Sequence, residues 1–258
     1  MDLATILGLI IAFGALIVAI TIEGGQLTGF ANISAAIIVL GGTFGVTAVA
    51  HSTKQILRTP VVLKNAFFTK PIDPKVIMSR LVEFSRKARR EGILALEEDV
   101  RGVNIPFIQR GMSLVIDGTS PEMVQEILDA ELGSMQARHH EGISVFEAMG
   151  GFAPTLGILG TVMGLVNMLA NLDEPGEMGH AIAAAFIATL YGVGTANLMF
   201  LPIANKLKAR SQEETRSYEL AMEGILAIQN GDGPRVVASK MQAYLAPKDK
   251  ETAQEGSE

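Results

Sequence analysis

Two threonines, Thr161 and Thr189, sit where a side chain could do chemistry. Each lies in a run without Asp, Glu, Lys, Arg or His, so a hydroxyl is the strongest polar group in its neighbourhood. Thr161 shares a helical stripe with Pro154, Gly157, Gly164 and Met168, and Thr189 shares one with Ala185, Gly192 and Ala196. Hydroxyl oxygens suit a hard cation, which prefers oxygen donors, and they suit a water wire equally well. Small residues also let helix backbones approach, and hydroxyls bond across helices. Spacing therefore leaves two readings open, a pore wall and a plain packing seam. Pro154 lacks an N–H, which frees a carbonyl one turn back and permits a kink, and Pro202 ends its own run in a similar way.

A second constellation is ionic. Arg86, Lys87, Arg89 and Arg90 precede Gly92, and Glu97, Glu98 and Asp99 follow it. A basic cluster followed so closely by an acidic one reads, on charge pattern alone, as a solvated face. Other chemistry finds little material. The chain has no cysteine, so a disulfide, a thiolate metal site and a cysteine nucleophile are all excluded. Of its 4 histidines, His139 and His140 are adjacent and point to different helix faces, which suits one metal poorly. No nucleophile–base pair or phosphate loop is present, so neither an enzyme nor a resident cofactor is expected. A formal net charge of -6 argues against a nucleic-acid partner.

The elements that must hold these residues are membrane helices. Of 258 residues, 48% are hydrophobic, and they gather in blocks rather than in amphipathic patterns. Leu3 to Ile22, Ile33 to Ala50, Ala148 to Leu172 and Ala181 to Ile203 carry no charge and are about as long as a bilayer core requires. The first has no basic residue before it and no good small-residue cleavage site after it, which predicts a retained helix rather than a signal peptide. All 21 Lys and Arg fall within 51–147 or 204–258, and Lys54, Arg58, Lys206, Lys208 and Arg210 closely follow spans two and four. Both termini and the long central segment are therefore expected in the cytoplasm.

The predicted fold is an all-α integral membrane protein. Residues 1–50 hold spans one and two, 51–147 a helical cytoplasmic domain, 148–203 spans three and four, and 204–258 a helical tail with a disordered end. Val61 to Phe68, with Lys54, Arg58, Lys64 and Lys70 nearby, reads either as a stretch lying near lipid headgroups or as an ordinary amphipathic helix on the cytoplasmic domain's own core. Ser120 is the expected N-cap of a helix beginning at Pro121 that is long enough to continue into span three. Gly231 to Pro234 should break the tail helix, with a short helix running on to Leu245.

Four stretches carry a resemblance. Ala88 to Glu97 (ARREGILALE), Ala153 to Gly164 (APTLGILGTVMG), His180 to Gly192 (HAIAAAFIATLYG) and Pro202 to Lys208 (PIANKLK) resemble the MotA/PomA family, the A subunits of the bacterial flagellar motor stator. The likeness extends from Met1 to about Leu245. It implies a homo-oligomeric ring, a pentamer, in the bacterial cytoplasmic (inner) membrane. The ring would surround a dimer of a single-span B subunit (MotB/PomB-like), whose membrane Asp carries the transported Na+ or H+. Aligned on Gly92, the resemblance assigns contact with the rotor protein FliG to Arg89 and Glu97, with Arg90, Glu98 and Asp99 assisting. It assigns the conformational prolines to Pro154 and Pro202, and the ion pathway to Thr161 and Thr189 with Pro154, Gly157 and Gly164 around them. Threonine at both positions resembles sodium-type members, whereas Ala88 to Glu97 and the tail resemble proton-type relatives as well. The alternative is an ExbB/TolQ-like ion-driven energiser of an outer-membrane partner, a related group with three spans.

Overall fold

A computed structural model describes residues 3–68, 72–170 and 175–245. Lys70, part of the loop before span four and the expected disordered end lie outside the described residues. Among those residues every regular element is helical. Four helices are long and apolar enough to cross a membrane.

The chain forms two compact units, Met1–Thr69 with His139–Ala209, and Lys70–Arg138 with Arg210–Glu258. In the first, α1 (Leu3–Ile22) is span one. Span two is α2 (Ile33–Ala36), a π turn (Ile37–Gly41) and α3 (Gly42–Ala50). The side chain of Asn32 caps α2 by accepting from the Ala35 N–H at 2.9 Å. Helix α4 (Thr53–Phe68) follows and contains Pro60. Its Ala66 is buried among Ile143, Phe146 and Met149, while Leu57, Val61 and Phe68 stay exposed. One face of α4 thus packs on the protein's own core and the other remains an open apolar stripe. By contact, 51–68 and 139–147 cluster with the spans rather than with the rest of the central segment.

In the second unit, α5 (Pro74–Glu91) starts at Asp73, whose carboxylate accepts from the Lys75 N–H at 2.9 Å. It ends at Gly92, whose φ of +86° favours glycine. A 3-10 turn (Ile93–Leu96), α6 (Glu97–Arg101) and α7 (Pro106–Ile116) come next. Helix α8 (Pro121–Ala170) has 50 residues and carries span three, and the Ser120 hydroxyl accepts from the Met123 N–H at 3.4 Å, as expected of an N-cap. In the first unit, the helix that carries span four starts at Pro175, ahead of the uncharged run, as α9 (Pro175–Thr195), a π turn (Ala196–Phe200) and α10 (Leu201–Gln229), whose residues from Arg210 on belong to the second unit. Gly231, at φ +77°, breaks the tail, and α11 (Pro234–Gln242) ends slightly before Leu245. The core of this unit gathers Ile77, Leu81 and Phe84 of α5, Ile108 and Met112 of α7, Leu128 of α8 and Ile225 of α10. Phe107 stacks on Tyr218 with centroids 4.6 Å apart.

Candidate functional site

Spans three and four meet along a glycine seam. A Cβ on Gly157 would come 2.9 Å from the Ala188 carbonyl oxygen, and one on Gly192 would come 2.5 Å from that of Ala153. A Cβ on Gly160 would lie 2.8 Å from the Ala188 methyl, and one on Gly164 as close to that of Ala185. No side chain larger than hydrogen fits at these points without moving backbone, so the glycines set how closely α8 and α9 approach. Pro154 lies inside α8, which continues through it. Pro202 lies in the first turn of α10, directly after the π turn. Inserted residues of this kind often accompany function.

That close approach brings the two threonines together. Their hydroxyl oxygens are 2.5 Å apart, and the Thr161 oxygen is also 2.9 Å from the Ala185 carbonyl and 3.1 Å from that of Gly157. Each hydroxyl has one proton. If Thr161 donates to Ala185, then Thr189 donates to Thr161, and the chain of bonds is complete. The result is a cluster of hard oxygen donors in a span without charge, with lone pairs on Thr189 still able to accept. Such a cluster can coordinate a cation or hold a water, but it offers no carboxylate to carry a proton. Of the predicted pathway residues, Thr161, Thr189, Gly157 and Gly164 come together, and Pro154 lies one turn before Gly157.

Tyr191, which the sequence reading passed over, fixes the opposite end of span two. Its hydroxyl donates to the Phe30 carbonyl at 2.5 Å and accepts from the Asn32 N–H at 3.3 Å. A single tyrosine within an otherwise apolar run, whose hydroxyl needs a partner when buried, is the signal that would have found it. Thr43 and Thr47, fully buried on span two, also went unremarked.

The predicted rotor-facing side chains Arg89, Arg90, Glu97 and Glu98 are all exposed. The charges around them are not equivalent. Arg101 donates to Glu97 and Lys87 to Asp99, each at 2.6 Å. Asp99 holds the Lys87 ammonium above its ordinary pKa, chiefly through this hydrogen bond. Arg89 instead lies against Gly233, where a Cβ would come 2.5 Å from a guanidinium nitrogen. Across the α10–α11 turn, Lys240 pairs with Asp232 at 2.8 Å, which raises the Lys240 pKa in the same way. Among the described residues no group of three or more histidines and carboxylates could hold a metal.

Residues 100–220 match the MotA/TolQ/ExbB proton channel family. Motility protein A of Bacillus subtilis is 38% identical over 251 residues, covering 97% of this chain and 93% of that protein. The chemotaxis protein PomA of Vibrio alginolyticus is 39% identical over 245 residues, covering 95% and 96%. Among solved structures, C. jejuni MotAB superposes with a TM-score of 0.91 at 29% identity, covering 96% of this chain and 98% of that one. The flagellar MotAB stator complex of Bacillus subtilis gives 0.89 at 37% identity, with the same coverage.

Proposed function

Because this chain belongs to the MotA/PomA branch of the MotA/TolQ/ExbB proton channel family, a family of ion channels and not of enzymes, we propose that it couples cation flow to flagellar torque. In this reading it is the A subunit of a stator, arranged in the inner membrane as a pentameric ring around two copies of a single-span B subunit. The observation that carries it is the oxygen cluster of Thr161, Thr189 and the Ala185 carbonyl, set in spans with no ionisable group. Channel proteins usually mark an ion pathway with an intramembrane carboxylate. Here that group must come from a partner, as an aspartate in the B subunit's helix would provide.

Residues 51–147 and the tail 204–258 lie in the cytoplasm, with both termini. Arg89 and Arg90, Glu97 and Glu98 face the rotor protein FliG, and Pro154 and Pro202 let the spans flex as the ion binds and leaves. With Glu97 and Asp99 paired to Arg101 and Lys87, Arg89 and Arg90 outweigh Glu98 on this face, and acidic side chains of the rotor complement Arg89. Sodium is the favoured ion, because both hydroxyls are present and a hard cation takes oxygen ligands. An ExbB/TolQ-like energiser would have three spans, and the four membrane-length helices favour the stator.

Swimming speed, measured at fixed pH while sodium is replaced by potassium, tests the ion. Sodium-type coupling predicts that swimming stops, and unchanged speed would reject sodium. In the same cells, Arg89→Glu and Glu97→Arg should each impair swimming. If both single variants swim normally, the rotor assignment fails.

A further inference from the structure

We propose that the slot between α1 and the start of α10 binds one inner-leaflet phospholipid with an anionic headgroup, its acyl chain lying along Pro202. The proposal rests on the membrane topology given above.

Helix α1 packs against the π turn Ala196–Phe200. Gly8 and Ala12, one turn apart on α1, line the gap beside that contact, with Asn197 and Pro202 across from them. No atom lies within 4 Å of where a Gly8 Cβ would stand. The opening is therefore as wide as missing side chains make it. A cavity of about 340 Å³ suits a file of methylenes and is too small for a helix, which is about 10 Å across. Its wall is mostly apolar, and Asn197 turns an amide N–H back to the Val193 carbonyl at 2.9 Å.

Length and charge specify the occupant further. From Asn197 to Lys206 the helical rise covers about 13 Å, close to one leaflet of a hydrocarbon core about 30 Å thick. Helix α1 and α9–α10 cross the membrane in opposite directions, so Thr5 falls at the Lys206 end of the slot and Ala12 at the deep end. An ammonium and a hydroxyl at the interface, above a slot one leaflet deep, match a phosphodiester headgroup, its ester region and one acyl chain. Beside the strip of Gly8 and Ala12, α1 shows the bilayer large side chains, with Ile10 62% and Ile11 68% exposed.

The test extracts the full-length complex with its B subunit from bacterial membranes in mild detergent and counts retained phospholipid by native mass spectrometry. Wild type should retain phospholipid enriched in anionic headgroups. Gly8→Leu and Ala12→Leu fill the slot and should release it. Gly14→Leu, on α1 but outside the slot, should retain it. Lys206→Gln should keep phospholipid yet reduce the preference for anionic over zwitterionic headgroups about fivefold. Should the filling variants fail to assemble, that headgroup preference decides the matter alone. Equal retention in the filling variants, or an unaltered preference in Lys206→Gln, overturns the proposal. Cross-linking of Ala12→Cys between two copies overturns it too, since a neighbouring chain would then occupy the slot. Topology is read separately from Lys206→Cys with a membrane-impermeant reagent. Labelling from outside the cell rejects the topology and the inner leaflet with it, whereas loss of lipid selectivity alone leaves the stator reading intact.

Discussion

A hydroxyl pair is informative only if each oxygen has something to do, and Thr161 has three neighbours for one proton. Thr189→Val keeps the shape and removes the donor, leaving Thr161 short of a partner in a half-buried setting. The expected loss is about 1–3 kcal/mol of stability, read as a lowered thermal midpoint of the purified complex, and Thr189→Ser should recover it. Swimming should follow the same order, with valine impaired and serine near normal. Spacing revealed that both threonines face a seam. It could not reveal that they face each other, because across a separation of 28 positions that depends on how deeply α9 settles on α8. The ionic residues show a related limit. Sequence brought Arg89, Glu97 and Asp99 to notice, but the Lys87–Asp99 pair, 12 residues apart, forms only because the chain reverses after Gly92.

For the helices, the seam makes a sharper forecast. Gly192→Ala would push a methyl against the Ala153 carbonyl, whereas two residues on, Gly194 has nothing within 4 Å. The first substitution should destabilise by about 1–3 kcal/mol through forced separation of α8 and α9. The second should be neutral or stabilise by about 0.5–1 kcal/mol, because alanine is the better helix former. A thermal-melt comparison of the two single variants checks both at once, and equal melting points would contradict the close approach. Hydropathy located all four membrane helices, since uncharged runs of this length have few other uses. It was blind to the π turns at Ile37–Gly41 and Ala196–Phe200, which shift backbone register without changing composition. It also missed the earlier start of α9, because Glu177 and His180 lower the hydropathy of a stretch that is nonetheless helical.

At the scale of the whole molecule, the two units differ in what holds them. The first relies on backbone proximity, and the second adds ionic pairs around an apolar core. Lys87 and Lys240 are held above their ordinary value of 10.5 by Asp99 and Asp232, and burial raises Tyr218 and Tyr244 above 10.0. In each case the folded state holds its proton more tightly than the unfolded chain does. The resulting stability is complete below the unfolded values and is lost as pH climbs through the raised ones. Thermal midpoints should therefore stay level from neutral pH to about 10 and fall beyond it, with Asp99→Asn softening the fall. Composition did not foretell that 51–68 and 139–147 cluster with the spans, because charged helices that lean on membrane segments look like any other solvated helix. The uncharged spans bear, finally, on the order of manufacture. A chain made before its partner offers an ion no carboxylate within its spans. A cell can thus accumulate this subunit in excess without draining the gradient that later drives it.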